Sequence, residues 1–398
     1  MSPLYSSVFK DETKLDIGYV PFRLPHRDVE YRLLMEFFGF MVKSAGRMAQ
    51  RVLVTGEIGT GKTVLAQRFG ADIAREAAKA GVNLRYIHVN CREYRGSLFL
   101  VLRHVISVFH PNFPKRGYSA EELLGVLLQV LDEENVYVIL ALDEFDSLVE
   151  REGSEAVYEL TRLQELHQNK PQRLSLVCIL RNVRVLEKVD ASSKSTLQSN
   201  VIRLENYSNE QLVDILNDRV PLAFKPSTVP EETVCIVAKH ASSENGNARF
   251  GIELLWRAGK YADAQDLGVV VPDCVRRAAS SVVPSLRKSE LVLLGFHEKL
   301  LLLGIARVLK LGQKAHASLA ESEQVYRIVC EEYGVKPNSH TQLWKYVQSL
   351  AAGGILKTEV ASSSAKGTRG RSTLIDIGRV PASELERELK TLLDMGAR

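Results

Sequence analysis

The stretch "VLVTGEIGTGKTVLAQRF", residues 52–69, decides how the rest of the chain is read. Its β-branched beginning reads as a strand, its glycine-rich middle as a turn, and its end carries apolar residues at helical spacing. Within it, Gly56 to Thr63 (GEIGTGKT) fits G-x-x-x-x-G-K-[ST] in the strand–loop–helix setting that this pattern needs. Gly56, Gly59 and Gly61 let the backbone turn its N–H groups inward around phosphate oxygens, and the helix N-terminus adds partial positive charge. Lys62 has the reach for β- and γ-phosphates, and Thr63 offers a hydroxyl to Mg²⁺. The expected cradle for ATP or ADP with Mg²⁺ is therefore Gly56, Glu57, Ile58, Gly59, Thr60, Gly61, Lys62, Thr63 and Val64.

Holding a nucleotide is not hydrolysing it. The second requirement is met by "NVYVILALDEFDSL", residues 135–148, an almost continuous apolar run that reads as a buried parallel strand ending in Asp143-Glu144. Asp143 is placed to hold the metal shell, and Glu144 to orient and deprotonate a water. Two carboxylates opening a surface loop are the bland alternative, and the apolarity of the run before them argues against it.

The surroundings are those of an ordinary globular chain. With 398 residues, 45% hydrophobic and 25% charged, two or three domains are expected and neither disorder nor a collagen-like repeat. The longest apolar stretch, residues 290–309, is interrupted by His297, Glu298 and Lys299, so it reads as an amphipathic or buried helix rather than a membrane span. The beginning, MSPLYSSVFKDETK, lacks a signal-peptide pattern, and an intracellular, cytoplasmic protein is expected. Five cysteines without a CxxC pair suggest buried, inert thiols rather than zinc or disulfides. From residue 280 onward, 17 Lys and Arg face 12 Asp and Glu, against 35 and 36 before it, so a polyanion would be met by the tail.

The adjacent Asp-Glu pair resembles that of the AAA+ ATPases, and this resemblance assigns further residues. The strand-like "LSLVCILRN", residues 174–182, ends in Asn182, which matches the polar sensor beside the γ-phosphate or attacking water. "GNAR", residues 246–249, opens a helix, and Arg249 matches the second sensor, a lid arginine whose charge-assisted bond tells ATP from ADP. Many relatives carry an activating arginine in the stretch that here reads "VDASSKST", residues 189–196. Ser192 stands in its place with Lys194 nearby, so slow, self-contained hydrolysis used as a switch is expected.

Other stretches resemble one branch, the archaeal replication initiators related to the origin recognition complex and the cell-division-cycle loader. "YVPFRLPHRDVEYRLL", residues 19–34, is similar to the segment folded over the adenine, with Val20 and Arg27 as implied contacts. Residues 89–131 resemble the branch's helical insertion after the second strand, including a P-x-R-G-x-S turn at Pro114 to Ser119, where Lys115 and Arg116 would add a DNA contact. "ENYSNEQLVDILNDRV", residues 205–220, resembles the start of the lid, where Tyr207 and Arg219 would border the nucleotide.

The tail reads differently. "ESEQVYRIVCEEYGV" is helix-like, with Val325, Ile328 and Val329 on one face and Gly334 at its stop. After a KPNS turn, "SHTQLWKYVQSLAAGGIL" begins with a Ser339-x-x-Gln342 capping pattern and turns Leu343, Val347 and Leu350 inward. Two strand-like runs, ILKTEV and TLIDIG, flank the basic loop ASSSAKGTRGRS. This is a helix-turn-helix with a β-wing, a winged helix similar to the branch's DNA-binding domain. Thr341, Gln342 and Lys345 would face the major groove, Lys366, Arg369 and Arg371 of the wing would meet phosphates, and Trp344 is assigned to the core. A winged helix used for protein contacts is the alternative.

The expected architecture is thus α/β: an AAA+ base with a parallel sheet over residues 1–205 (insertion about 91–131), an all-α lid over 206–283, and a winged helix over 284–398. The resemblance implies a weak ATPase that binds double-stranded origin DNA and works with the replicative helicase and other initiator subunits, away from membranes. An ATP-switched transcription or signalling regulator remains the alternative, and a clamp-loader-like machine is disfavoured by Ser192.

Overall fold

The computed structural model describes residues 7–114, 117–161, 170–198, 200–282, 291–292, 294–311, 314–353, 355–361, 372–378 and 380–396. The chain divides into two compact units: residues 18–211 with 245–249, and residues 1–17 with 212–244 and 250–398.

The first unit is built on a five-stranded parallel sheet in the order β2-β3-β4-β1-β5: β1 (Arg51–Thr55), β2 (Leu84–Asn90), β3 (Tyr137–Asp143), β4 (Leu174–Leu180) and β5 (Val201–Arg203). Side chains alternate across a strand, and here both faces are covered, so the strands read as continuous apolar runs. Val52, Val54, Ile139, Ala141, Val177 and Ile179 pack under helices α1 (Asp28–Lys43) and α2 (Lys62–Lys79). Leu53, Leu140, Leu142, Leu176 and Cys178 face the other core, with α3 (Leu98–Phe109), α4 (Ala120–Glu133) and α5 (Asp146–Thr161). Helix α3 and most of α4 fall within residues 91–131, where extra helical material is expected. Ser119 and Glu122 close a reciprocal capping box at the start of α4. A short helix, α6 (Ala191–Leu197), precedes β5.

The second unit joins helices α7 (Asn209–Ala223, whose first three residues belong to the first unit), α8 (Glu231–Ser243), α9 (Ala248–Ala264, whose first two do) and α10 (Pro272–Val282) to a winged helix. The latter comprises α11 (Phe296–Leu311), α12 (Leu319–Glu332), α13 (His340–Ala352), α14 (Ala382–Gly396) and the sheet β6-β8-β7: β6 (Ala317–Ser318), β7 (Lys357–Ala361) and β8 (Ser372–Asp376). The strands are antiparallel, with Lys357 opposite Asp376 and Ala361 opposite Ser372. Helix α10 is tied to α14, where Asp273 accepts from the Ala382 amide, and to the stretch before β6, where the buried Arg276 donates to the Ala315 carbonyl at 2.8 Å.

Four expectations are corrected. The inward stripe of α12 is Ser322, Tyr326, Val329 and Cys330, while Ile328 is 53% exposed, because the helix turns its face one residue from the assumed line. Ser339 makes no side-chain cap at α13; the box forms instead at Ser318 and Glu321 on α12. Trp344, assigned to the core, is exposed beside Lys345. Cys235 is exposed on α8, whereas the other four cysteines are buried. No described helix is long and apolar enough to cross a membrane; the 290–309 stretch supplies α11, with Leu300 to Ala306 buried.

Candidate functional site

The phosphate loop runs from the end of β1 to the start of α2. Gly59 and Gly61 have φ of +79° and +90°, a region that favours glycine. A Cβ on Gly59 would run into the Asn247 side chain, and one on Gly61 would stand 3.1 Å from the Tyr207 hydroxyl. Lys62 Nζ donates to the Gly56 and Glu57 carbonyls at 2.5 and 2.7 Å. Burial makes that ammonium lose its proton more readily, against the pull of Asp143 and Asp146.

Thr63 Oγ1 donates to Asp143 Oδ2 at 2.7 Å, so the hydroxyl and carboxylate expected to serve a metal already meet. Asp143 Oδ1 accepts from the Glu144 amide at 2.8 Å, and Oδ2 lies 3.2 Å from His88 Nε2. Burial raises the Asp143 pKa, but the bonds from His88 and Thr63 outweigh it and hold the carboxyl below its usual range. These oxygen donors fit Mg²⁺, which keeps several waters and takes only one or two protein ligands beside phosphates. Among the described residues no group of three or more His, Cys, Asp or Glu is arranged to hold a metal by itself. Glu144 has a φ of +49°, uncommon outside glycine, and its half-exposed carboxylate lies 3.8 Å from Arg92.

Asn247 to Arg249 belong to the same compact unit as the loop. Asn245 and Gly246 both take positive φ, turning the chain so that the Ala248 amide donates to the Gly59 carbonyl at 3.2 Å. Arg249 is exposed. Asn182 Oδ1 accepts from the Arg184 amide, an N-cap for the 3₁₀ turn Val183–Lys188. Ser192 Oγ donates to Asp190, whose pKa is held to about 2 chiefly by that bond.

Of the residues expected beside the adenine, Arg27 forms a brace. Arg27, 5% exposed, donates from Nε to the Thr60 carbonyl, from Nη2 to the Glu205 carbonyl at 2.6 Å, and from Nη1 to His26 and Glu30. Its guanidinium lies 4.0 Å from the centre of the Tyr207 ring, whose hydroxyl is pushed up chiefly by burial. Val20 is half-buried in the irregular stretch before α1. Arg219 lies in the second unit, where Nη1 donates to the Lys14 carbonyl.

Two site residues were missed by sequence reasoning. His88 reaches Asp143 from the neighbouring strand; a polar residue two places before the end of a strand parallel to the acidic one was the available signal. Asp146 accepts the Arg181 amide on both oxygens at 3.0 Å, tying the loop after β3 to the loop after β4, and nothing in its spacing announced this.

In the winged helix, Thr341 and Lys345 are exposed and Gln342 half-buried, while Leu343, Val347 and Leu350 are buried as expected. Lys115, Arg116, Lys366, Arg369 and Arg371 lie outside the described residues.

Family descriptions match the chain as an AAA domain over residues 47–188, a Cdc6 AAA+ ATPase-type lid domain over 213–280, and a CDC6 C-terminal winged-helix domain over 291–385. The ORC1-type DNA replication protein 2 of Sulfurisphaera tokodaii is 33% identical, the match covering 98% of this chain and 93% of that protein. The solved structure of Cdc6p from Pyrobaculum aerophilum gives a TM-score of 0.81 at 28% identity, covering 98% of this chain and 100% of that one. The Aeropyrum pernix ORC1 protein, solved in complex with DNA, gives 0.63 at 27% identity, covering 96% and 97%. With a third of its residues identical to a replication protein along nearly the whole of both, the chain belongs to the ORC1/Cdc6 family of DNA replication proteins, AAA+ ATPases that end in a winged helix.

Proposed function

We propose that the protein binds duplex DNA at replication origins under the control of bound ATP and helps bring the replicative helicase there. What carries the reading is the second helix of the helix-turn-helix, α13: Thr341 and Lys345 stand exposed while its apolar stripe is buried, leaving an outward face that a major groove can admit. The DNA complex of the Aeropyrum pernix relative supports a duplex as the partner. Family membership favours replication over the promoter-acting alternative.

ATP lies on the loop from Gly56 to Val64, with Lys62 and Arg249 toward its last phosphates and Thr63 and Asp143 holding Mg²⁺, which supplies charge neutralisation there. Glu144 orients the attacking water and takes its proton, and Asn182 serves as sensor when its cap opens. With Ser192 bound to Asp190 rather than offering a guanidinium, hydrolysis is slow and works as a switch. Val20, Tyr207 and Arg219 are proposed to border the nucleotide. Lys115, Arg116, Gln342, Lys366, Arg369 and Arg371 add DNA contacts, mainly to phosphates. The test is a footprint on the source genome with ATP and with ADP. One or a few origin-like sites favoured by one nucleotide are expected; many promoters, or no protection, would refute the reading.

A further inference from the structure

Strand order places β4 between the acidic strand β3 and the strand that leads into the phosphate loop. Leu180, the last residue of β4, pairs with Thr55, the last residue of β1, so Arg181 leaves the sheet level with Gly56. On the other side the Phe145 amide donates to the Ile179 carbonyl, which brings the turn after Asp143-Glu144 alongside. Ligands of open parallel sheets bind just beyond these carboxyl ends. The backbone there is fixed, because Asp146 accepts the Arg181 amide on both carboxylate oxygens at 3.0 Å and the Asn182 amide at 3.4 Å.

Arg181 is exposed, and among the described residues its guanidinium has no hydrogen-bond or ion-pair partner. An exposed guanidinium that leaves the sheet level with the phosphate loop is available to an incoming anion. Meanwhile Ser192 occupies the place of the arginine that in many relatives activates hydrolysis, and its hydroxyl is bound to Asp190.

We infer that Arg181 reaches the terminal phosphate of bound ATP and stabilises charge there from within the same chain. The inference rests on the reading of the loop as an ATP site. In hydrolysis the water oxygen bonds to the γ-phosphorus and the bond to the β–γ bridging oxygen breaks, its electron pair leaving on ADP. The water's proton passes to Glu144. Arg181 contributes no atom; its N–H groups face the γ-oxygens as charge spreads over them, the service an arginine in cis performs in other phosphoryl-transfer enzymes.

The experiment uses full-length Arg181→Ala, Arg181→Lys and Lys62→Ala, with ATPγS and ADP binding by calorimetry and single-turnover hydrolysis at several protein concentrations. Arg181→Ala should bind ATPγS about 10-fold more weakly with ADP binding unchanged, and hydrolyse about 100-fold more slowly. Arg181→Lys should regain part of the ATPγS affinity and little of the rate. The wild-type rate per chain should not depend on protein concentration. Wild-type binding and hydrolysis in Arg181→Ala would overturn the inference, as would a rate that climbs with concentration. Lys62→Ala separates the two readings: unchanged nucleotide binding there refutes the ATP site itself, whereas its loss beside an indifferent Arg181→Ala refutes Arg181 alone. If Arg181→Ala melts early, Arg181→Lys decides the matter by its ratio of ATPγS to ADP affinity.

Discussion

Replacing Arg27 with alanine distinguishes a ligand contact from a brace. The resemblance implies that Arg27 touches the adenine, but in the structure its donors are spent on the Thr60, Glu205 and His26 carbonyls and on Glu30, with the guanidinium over the Tyr207 ring. A desolvated cation–π contact is worth about 2 kcal/mol. Hydrogen bonds from a charged donor are worth about 1.5–3 kcal/mol each. These do not add, since they share one group, and truncating a buried, paired cation costs about 3–5 kcal/mol. In a unit of this size each kcal/mol shifts the melting point by roughly 2–4 °C, so nucleotide-free Arg27→Ala should melt roughly 6–20 °C lower. Calorimetric melting of the nucleotide-free full-length chain reads this, with hydrogen exchange across residues 56–63 showing whether the loop loosens. Lysine should recover little, being a point charge without the fork that meets two carbonyls. An unchanged melting point together with lost nucleotide affinity would refute the brace and leave Arg27 as a base contact.

Glu386 should make the winged helix acid-sensitive. Burial raises its pKa, but Lys310 and Lys390, at 2.8 and 2.9 Å, pull it down to about 2. Its stabilisation is therefore complete above the unfolded value of about 4.3 and lost as pH falls toward about 2. With both lysines half-exposed and screened, Glu386→Gln should cost about 1–2 kcal/mol at pH 7, and the gap to wild type in chemical unfolding should close below pH 4. Gly59→Ala puts a side chain at φ +79° and into Asn247, so nucleotide affinity should fall about 10-fold or more, with partial recovery in the double variant Gly59→Ala/Asn247→Ala. Arg369→Ala with Arg371→Ala should weaken duplex binding and lower the slope of affinity against salt by about 2, read by titration at several ionic strengths; an unchanged slope would mean the wing does not meet phosphates.

The parts of this molecule legible in sequence are those whose cause is local or periodic. β1, β3 and β4 are buried on both faces, which forces runs such as YVILALD and LSLVCIL that no surface loop would carry. The phosphate loop is legible because glycine, lysine and hydroxyl must come at fixed offsets. What stayed hidden depends on neighbours distant in sequence. His88 becomes a partner of Asp143 only because β2 lies beside β3, and Asp146 becomes a clamp only because β4 follows next in the sheet. The stripe on α12 was misread at Ile328 because the partners of that helix, not its composition, choose which edge is inward: the Tyr326 backbone comes within reach of Gly304 on α11. Trp344 was misassigned to the core; a third of its surface is free beside Lys345, a place that suits an indole, which is apolar in its body and polar at its N–H.

The resting posture of Lys62 bears on where nucleotide affinity comes from. Its ammonium is already satisfied by the Gly56 and Glu57 carbonyls, as Thr63 is by Asp143. Phosphate oxygens must therefore replace bonds rather than fill empty ones, and the gain from Lys62 is the difference between a charge-assisted bond to an anion and one to a neutral carbonyl, about 1–2 kcal/mol. Groups without such partners among the described residues keep their full gain: exposed Arg249 beside the loop, and Arg181 just after β4. Removing Lys62 does more than its share of the exchange, because two loop carbonyls lose the cation that faces them. Loss of binding in Lys62→Ala thus reports loop posture together with phosphate contact, whereas a selective loss of ATPγS over ADP on changing an exposed arginine reports phosphate contact alone.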